Sequence, residues 1–283
     1  MAREGRATVV GWTMAREVPG LRSRRLTVPL AIMAVAMVAA LQPSDYFVLL
    51  YNFALITALL VLSLSLIFGY AGLLSLAHAA YFGIGAYVSA LLTKELGLPV
   101  ILGLLGAAAV AAVLGYLLAP MGKLMADYYA MGTLAFGLIM YTLFGNLSFL
   151  TGGWSGLSGV PALELFGIKV ATPKQELILL SAVLAGAFLL LQQVTAGYTG
   201  RSYRAVRDDQ VSARAIGLPV DKIKNHAVTI GCAIAGLAGG LMAHMSQFVG
   251  PESFSYFRSI LLVLMVVVAG RDNLGGAVIV GTL

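Results

Sequence analysis

Residues 46–93 decide the fold, and they read YFVLLYNFALITALLVLSLSLIFGYAGLLSLAHAAYFGIGAYVSALLT without one Asp, Glu, Lys or Arg. About 20 apolar residues cross a bilayer as an α-helix, so a charge-free run of this length is enough for two crossings. Gly69 and Gly72 lie near its middle, and glycine tolerates the backbone conformations of a tight re-entry. We therefore predict helices over 47–69 and 73–92, joined by a turn near 70–72.

The composition of the whole chain supports the same class. Hydrophobic residues make up 60% of the 283 residues, and charged residues only 11%, against roughly 25% in a typical globular protein. Further charge-free runs cover 26–44, 96–122, 128–163, 177–200 and 225–251. The sequence predicts an all-α, polytopic helical membrane protein. We expect eight transmembrane helices, with a ninth starting near residue 274, at 27–43, 47–69, 73–92, 98–119, 129–147, 176–195, 226–247 and 257–270.

The distribution of basic residues predicts the orientation. Lys and Arg are concentrated in cytoplasmic loops of membrane proteins. With a cytoplasmic N-terminus, only Lys94, Lys169, Lys174 and Arg258 of the 18 Lys and Arg fall outside. The others lie in cytoplasmic segments: Arg3, Arg6, Arg16, Arg22, Arg24, Arg25, Lys123, Arg201, Arg204, Arg207, Arg214, Lys222, Lys224 and Arg271.

This orientation divides the chain into two parts. We expect a basic cytoplasmic tail over 1–26 and a transmembrane domain over 27–283. Within that domain, the 148–175 loop would lie outside and the 196–225 loop in the cytoplasm. The net charge of +6 is explained by this topology rather than by nucleic-acid binding, because the basic residues cluster beside apolar segments.

Several classes of enzyme and carrier are disfavoured. The sequence has no GxxxxGK[ST] phosphate loop, no HExxH motif and a single cysteine, Cys232, so we expect neither a nucleotide site nor a metal site nor any cofactor bound by this chain. Carboxylates inside spans would indicate ion coupling. The acidic residues near the spans all fall at predicted interfaces or in loops: Asp45, Glu95, Glu164, Glu176 and Glu252. The chain reads as a pathway whose energy is supplied elsewhere.

The most polar stretch after the N-terminus is 201–224, RSYRAVRDDQVSARAIGLPVDKIK. Pairs four residues apart, Arg204 with Asp208 and Gln210 with Arg214, predict a short amphipathic helix over about 202–216. Gly217 fits a helix stop, and a proline follows two residues later. The apolar side of this helix would carry Ala205, Val206, Ala213 and Ile216. A small helix of this form suits a docking element; a solvated loop that binds lipid headgroups is the alternative.

These residues resemble a known family. Val211, Ser212, Ala213 and Gly217 match the Glu-Ala-Ala-x-x-x-Gly pattern of ABC importer permeases, without the Glu and with Ser for one Ala. The longer stretch RAVRDDQVSARAIGLPVDKIK resembles the branched-chain amino acid permeases, especially the M-type subunit of the Liv family. Four further blocks, which bring the similarity to about 45–283, are SLSLIFGYAGLLSLAHAAYFGIGAY (63–87), YYAMGTLAFG (128–137), LTGGWSGLSGVP (150–161) and FVGPESFSYFRSILLVLMVVVAG (248–270).

Some positions depart from the family pattern. Ala77 replaces a Gly, Leu138 stands where an acid often follows, and Arg271, Asp272 and Asn273 interrupt a turn that is usually Gly-rich. The chain ends at Leu283 inside an apolar segment. We expect either a truncated product or a short member of the family.

The resemblance implies an inner-membrane, multi-pass permease subunit of an ATP-driven importer for branched-chain or related hydrophobic amino acids. The expected partners are ABC ATPase subunits, a second permease subunit, an external solute-binding protein and membrane lipid. ATP and Mg would be used by the ATPases, and this chain would not be an enzyme. Its ATPase-coupling loop would act through Arg204, Arg207, Asp208, Asp209, Ala213 and Gly217. Permeases of urea and short-amide importers are close alternatives, and a self-sufficient secondary carrier or channel is a more distant one.

Few polar side chains line the predicted spans, which suits an apolar amino acid as cargo. The candidates for the translocation path are Asn52, Ser75, His78 and Thr133. For His78 we favour a structural role, with a hydrogen bond to a backbone carbonyl where the helix is interrupted, because polar groups in lipid must find internal partners. Small residues let helices approach closely, so we assign a packing role to Gly83, Gly85, Gly236, Gly239 and Gly240. Trp154 fits either an interfacial anchor or a contact with the solute-binding protein.

Overall fold

The computed structural model describes residues 28, 31–33, 44–123, 126–165, 168–170 and 172–283. The predicted tail 1–26 lies outside these residues, and so does nearly all of the first predicted span, 27–43. The described part is almost entirely helical, which confirms the helical membrane class. The helices are α1 (Asp45–Leu64), α2 (His78–Lys94), α3 (Val100–Leu118), α4 (Ala126–Asn146), α5 (Ser148–Thr151), α6 (Pro173–Ala196), α7 (Tyr198–Asp208), α8 (Gln210–Ala215), α9 (Val220–Ser246), α10 (Tyr256–Ala269) and α11 (Leu274–Thr282).

In the described part of the chain, five helical segments are long and apolar enough to cross a bilayer: Asp45–Tyr70, Val100–Gly122, Tyr128–Asn146, Pro173–Ala196 and Val220–Ser246. Tyr256–Ala269 is a shorter apolar helix. From residue 45 onward, each predicted span corresponds to a helix, and the largest differences are the starts of α2 and α9. The count of eight or nine transmembrane helices remains a prediction.

The predicted tight turn at 70–72 is a longer interruption. A π-helix, Ser65–Tyr70, follows α1, and α2 begins only at His78. Gly72 has φ +72°, which favours glycine, but Gly69 does not have a positive φ. The amides of Ala71 and Leu73 reach back to the carbonyls of Leu66 and Ile67 at 3.1 and 3.0 Å, so the chain leaves the helix gradually.

Side chains from two distant helices stabilise this interruption, the α1–α2 break (residues 71–77). The amide of Leu76 donates to Thr133 Oγ1 on α4 at 3.1 Å. The amide of Ala79, in the first turn of α2, donates to Ser259 Oγ on α10 at 2.9 Å. Backbone groups within a membrane must be satisfied internally, and irregular backbone is tolerated there only where the protein supplies partners. The break is therefore held by α4 and α10.

Helix α9 is the centre of the bundle, and glycines bring its neighbours close. A Cβ on Gly85 of α2 would collide with the backbone of Gly236 on α9. A Cβ on Gly239 would collide with the carbonyl of Phe82, and one on Gly240 would press on Leu104 and Ser89. The predicted packing role of these glycines is confirmed, because only hydrogen fits at these contacts.

Two short antiparallel ribbons complete the 148–175 loop. Strand β1 (Leu157–Ser158) pairs with β4 (Phe248–Val249), and β2 (Glu164–Leu165) pairs with β3 (Ile168–Lys169). Lys94, at the end of α2, donates to Ser158 O at 3.0 Å. Helix α6 has 24 residues and separates the 148–175 loop from the 196–225 loop by roughly 36 Å of helix rise. The two loops therefore lie at opposite ends of the bundle.

Candidate functional site

The 196–225 loop contains two helices, α7 and α8, instead of the one helix predicted over 202–216. Asp209 interrupts the helix with an extended backbone, φ −155°. Its carboxylate accepts hydrogen bonds from the amides of Val211 and Ser212 at 2.8 and 3.2 Å and from Ser212 Oγ at 2.5 Å. The hydroxyl of Ser212 and these amides lower the pKa of Asp209. Asp209 is thus the N-cap of α8, a role that its residue type favours.

Arg207 faces the bundle rather than the solvent. Its Nη1 donates to Gly69 O and to Asp272 Oδ1, each at 2.7 Å, and its Nε donates to Asp208 Oδ1 at 3.1 Å. Burial alone would lower the pKa of Arg207, but the hydrogen bonds to Asp272 and Asp208 outweigh burial and raise it. Asp208 thus pairs with its chain neighbour and not with Arg204, the partner that the spacing predicted. Arg204 itself is half-buried.

The contacts of Arg207 join three elements. Gly69 belongs to the π-helix before the α1–α2 break, and Asp272 lies in the turn between α10 and α11. Tyr70 OH also donates to Asp272 O, at 2.9 Å. A Cβ on Gly72 would lie 2.5 Å from Arg207 Cγ, so the arginine fits directly against the break. Sequence reasoning missed this cluster, although Asp272 was visible as a departure from the family's usual turn.

Lys224 also anchors the 196–225 loop to the bundle, and sequence reasoning missed this contact too. It was counted among the cytoplasmic charges, yet it is only 2% exposed. Its Nζ donates to Gly122 O at 2.6 Å and to Gln210 Oε1 at 2.8 Å. The predicted partner of Gln210, Arg214, instead forms a 3.3 Å ion pair with Asp221. The start of α8 is therefore anchored to the end of α3.

Two large apolar side chains, in α8 and directly after it, face away from the bundle. Val211 is 77% exposed and Ile216 is 76% exposed. Ala213, which the sequence placed on the same apolar side as Ile216, is instead buried against Val206 and Val220. Gly217 ends the helix as predicted, with φ +84°, while the amide of Leu218 reaches back to Ala213 O at 3.0 Å. The loop thus is anchored on its inner side by Arg207 and Lys224, and it exposes Val211 and Ile216 among polar residues on its outer side.

Three of the four translocation-path candidates lie around the α1–α2 break. Ser75 is within it, Thr133 accepts the amide of Leu76, and His78 begins α2. His78 Nε2 lies 2.7 Å from Ser63 Oγ, and that hydroxyl donates to Leu60 O at 2.8 Å. The imidazole is therefore linked to a backbone carbonyl through Ser63, while His78 Nδ1 has no hydrogen-bond partner in the described part of the chain.

Asn52 lies apart from the other three candidates, near the opposite end of α1. Its Nδ2 donates to Pro173 O at 3.1 Å and to Glu176 Oε2 at 3.2 Å, both on α6. All four candidates are buried inside the subunit. Without a change in conformation, none of them is open to a passing solute.

The 148–175 loop is anchored by His244 of α9. His244 Nδ1 lies 2.8 Å from Pro161 O, and its Nε2 lies 2.8 Å from Ser89 Oγ. Since a carbonyl can only accept, Nδ1 carries the proton and Nε2 accepts from the serine hydroxyl. Trp154 is half-exposed, and its ring meets the ring of Tyr141 edge-on, with the two ring centres 5.5 Å apart. Among the described residues, no group of three His, Cys, Asp or Glu could hold a metal ion.

Comparison with known proteins identifies relatives of this chain. The model of a family described as the permease component of branched-chain amino acid transport systems matches residues 46–283. The high-affinity branched-chain amino acid transport permease LivM of Salmonella typhimurium is 31% identical over 90% of this chain and 67% of its own length. LivM of Escherichia coli is 33% identical over 77% of this chain and 57% of its own length.

A more distant relative and the solved structures complete the comparison. A probable branched-chain amino acid permease, LivH, of Methanocaldococcus jannaschii is 28% identical over 79% of this chain and 73% of its own length. The chain therefore spans between 57% and 73% of these relatives. No solved structure matches it.

Proposed function

Because the chain belongs to the family of branched-chain amino acid transport permeases, we propose that it is the permease subunit of an ATP-driven importer for branched-chain or related hydrophobic amino acids. As a family member with several bilayer-length apolar helices, it is a multi-pass protein of the inner membrane. Its proposed partners are ABC ATPases, a second permease subunit and an external solute-binding protein. ATP and Mg bind to the ATPases in this proposal, and the 196–225 loop faces the cytoplasm.

The proposal assigns the outer side of α8 to contact with an ATPase. Val211 and Ile216 are exposed apolar residues on an otherwise polar loop, and burying apolar surface is the main driving force of most protein association. Arg214, exposed between them, adds a rim charge. Arg204, Arg207, Asp208 and Asp209 then act mainly by shaping and anchoring the loop.

The anchors of the loop supply a route for coupling. A displacement of α7 would act through Arg207 on Gly69 and Asp272, and so on the α1–α2 break and the α10–α11 turn. Ser75 lies within the break, and His78 begins the helix that follows it. Thr133 accepts a hydrogen bond from the amide of Leu76 in the break. All three of these polar side chains are buried. Alternating access in this proposal is a movement of the break and its supporting helices. The observation that carries the proposal is the family match together with an apolar surface on a loop tied to this break.

The test is the recovery of partners from native membranes. Tagged full-length chain is solubilised, captured and analysed by mass spectrometry, with Val211→Asp and Ile216→Asp as test variants. The control is Leu96→Asp, which makes the same change at an exposed leucine at the opposite end of the bundle. The side chains of Val211 and Ile216 both point away from the core, so both variants should fold normally.

We expect the wild type and the control to recover ABC ATPases and a second permease. The α8 variants should lose the ATPases and keep the second permease. Recovery of the chain alone, together with amino-acid transport in ATP-free liposomes, would overturn the importer proposal in favour of a secondary carrier.

A further inference from the structure

Arg258 is a cation with no counter-ion among the residues that the structure describes. It lies in the first turn of α10 (Tyr256–Ala269), and its Nη1 donates to Ser253 O at 3.2 Å. Among the described residues, no Asp or Glu forms an ion pair with it. Arg207 and Arg214, by contrast, each have a carboxylate partner. Arg258 therefore differs from the arginines that stabilise the 196–225 loop.

The position of Arg258 makes an unpaired charge costly. Its Cζ lies 4.9 Å from the centre of the Phe82 ring on α2. On α2, Phe82 lies seven residues before Ser89, which corresponds to roughly 10 Å of helix rise. Ser89 contacts His244, the residue that anchors the 148–175 loop. The guanidinium thus lies against α2, roughly 10 Å along the helix from that contact. A cation in a first helical turn is also repelled by the positive end of the helix dipole.

The surroundings of Arg258 are aromatic. Phe82, Tyr87, Phe144 and Phe254 form one cluster, with ring centres 4.9 to 5.9 Å apart. The hydroxyl of Tyr87 is buried and has no hydrogen-bond partner in the described part of the chain. Ionisable groups inside a membrane are expensive, and they usually mark a functional site with a partner of opposite charge. The four rings are almost completely buried, so they form a closed apolar wall behind the guanidinium.

We infer that Arg258 binds the carboxylate of the transported amino acid, with the buried aromatic cluster as the apolar wall behind the guanidinium. The inference rests on the proposed function, and it names a residue that determines substrate specificity. A guanidinium has five N–H donors in a planar fork that matches a carboxylate, and only one hydrogen bond from it is described here. Arg258 is partly exposed, so a small anion can reach it.

Protection from chemical modification tests this inference directly. The full-length chain, in the complex in which it is purified from native membranes, is placed in phosphatidylcholine nanodiscs and treated with phenylglyoxal. Mass spectrometry then measures the rate of modification at Arg258, with exposed Arg201 as the internal control. Leucine and leucinamide are compared as protectants, because the amide retains the side chain and the amino group but has no carboxylate.

We expect leucine at ten times its dissociation constant to slow the modification of Arg258 about tenfold, since only unoccupied sites react. Leucinamide should have no effect, and Arg201 should react at the same rate throughout. Equal protection by leucine and leucinamide, or protection by neither, would overturn the inference. Replacing part of the phosphatidylcholine by phosphatidylglycerol tests the other source of an oxyanion. Protection by that lipid but not by leucine would assign Arg258 to a headgroup phosphate and also overturn it.

A pair of variants provides an independent readout. Arg258→Gln should weaken equilibrium binding of labelled leucine at least tenfold, because the carboxylate loses its charge-assisted hydrogen bonds. Lys94→Gln, which removes an exposed cation at the 148–175 end, should not change it. Unchanged affinity in Arg258→Gln would contradict the inference. Leucine binding through Arg258 in a protein that recovers no ATPase would support the site and refute only the ATP-driven importer.

Discussion

At the scale of single residues, Gly72 meets two requirements at once. It adopts φ +72°, and its missing Cβ leaves space for Arg207. We predict that Gly72→Ala lowers the stability of the detergent-solubilised protein by about 1–3 kcal/mol, because left-handed backbone and steric conflict both disfavour a side chain there. Thermal unfolding measures the effect. The control is Gly186→Ala on α6, where nothing lies near the added methyl group; this change should not destabilise the protein. Equal stability of the two variants would contradict the prediction.

Lys224 and Arg207 show why residue roles were difficult to predict. The sequence identified both as cations of a polar loop, which is correct for composition but not for position. Lys224 is buried because Gly122 and Gln210, which are 102 and 14 residues away, supply acceptors. Arg207 meets Gly69 and Asp272, 138 and 65 residues away. No local pattern encodes contacts over such separations.

At the scale of elements, the ion pair between Arg207 and Asp272 holds α7 against the bundle. We predict that Asp272→Asn loosens α7 and α8 by about 1–2 kcal/mol, because a partly buried, charge-assisted hydrogen bond is weakened. Faster hydrogen exchange of amides 198–215 would show it. The control is Asp208→Asn, which removes the more exposed carboxylate from the same arginine, and exposed pairs contribute little. Equal exchange in the two variants would exclude Asp272 as the principal anchor.

The elements themselves were predictable to different degrees. Long apolar segments such as α3 and α6 were found close to their observed ends, because hydropathy and flanking polar residues mark the limits of such helices. One helix was predicted over about 202–216, and the structure has two, because the side chain of Asp209 accepts hydrogen bonds from the amides that begin α8. The α1–α2 break was predicted too short, because its support comes from Thr133 and Ser259 on other helices.

At the scale of the whole molecule, the two loops lie at opposite ends of the bundle, and the positive-inside rule puts the 196–225 loop in the cytoplasm. We predict that a membrane-impermeant maleimide labels Leu96→Cys on intact spheroplasts and labels Lys222→Cys only after permeabilisation. The native thiol, Cys232, is fully buried, so the unsubstituted chain is the control for background labelling. The reverse pattern would refute the cytoplasmic N-terminus, and labelling of both positions from one side would contradict the arrangement of the helices.

The sequence by itself determined the class of protein, the approximate limits of the described helices and the family. These properties follow from local quantities: charge-free runs, the positions of Gly and Pro, and blocks of neighbouring residues. Only the tertiary structure decided which polar groups face inward, how far the α1–α2 break extends, and that Arg258 has no carboxylate partner among the described residues. A buried polar group in a membrane protein takes whatever partner the fold brings to it. Arg207 and Arg258 share one side-chain chemistry, and they differ because Asp272 lies beside the first and the ring of Phe82 beside the second.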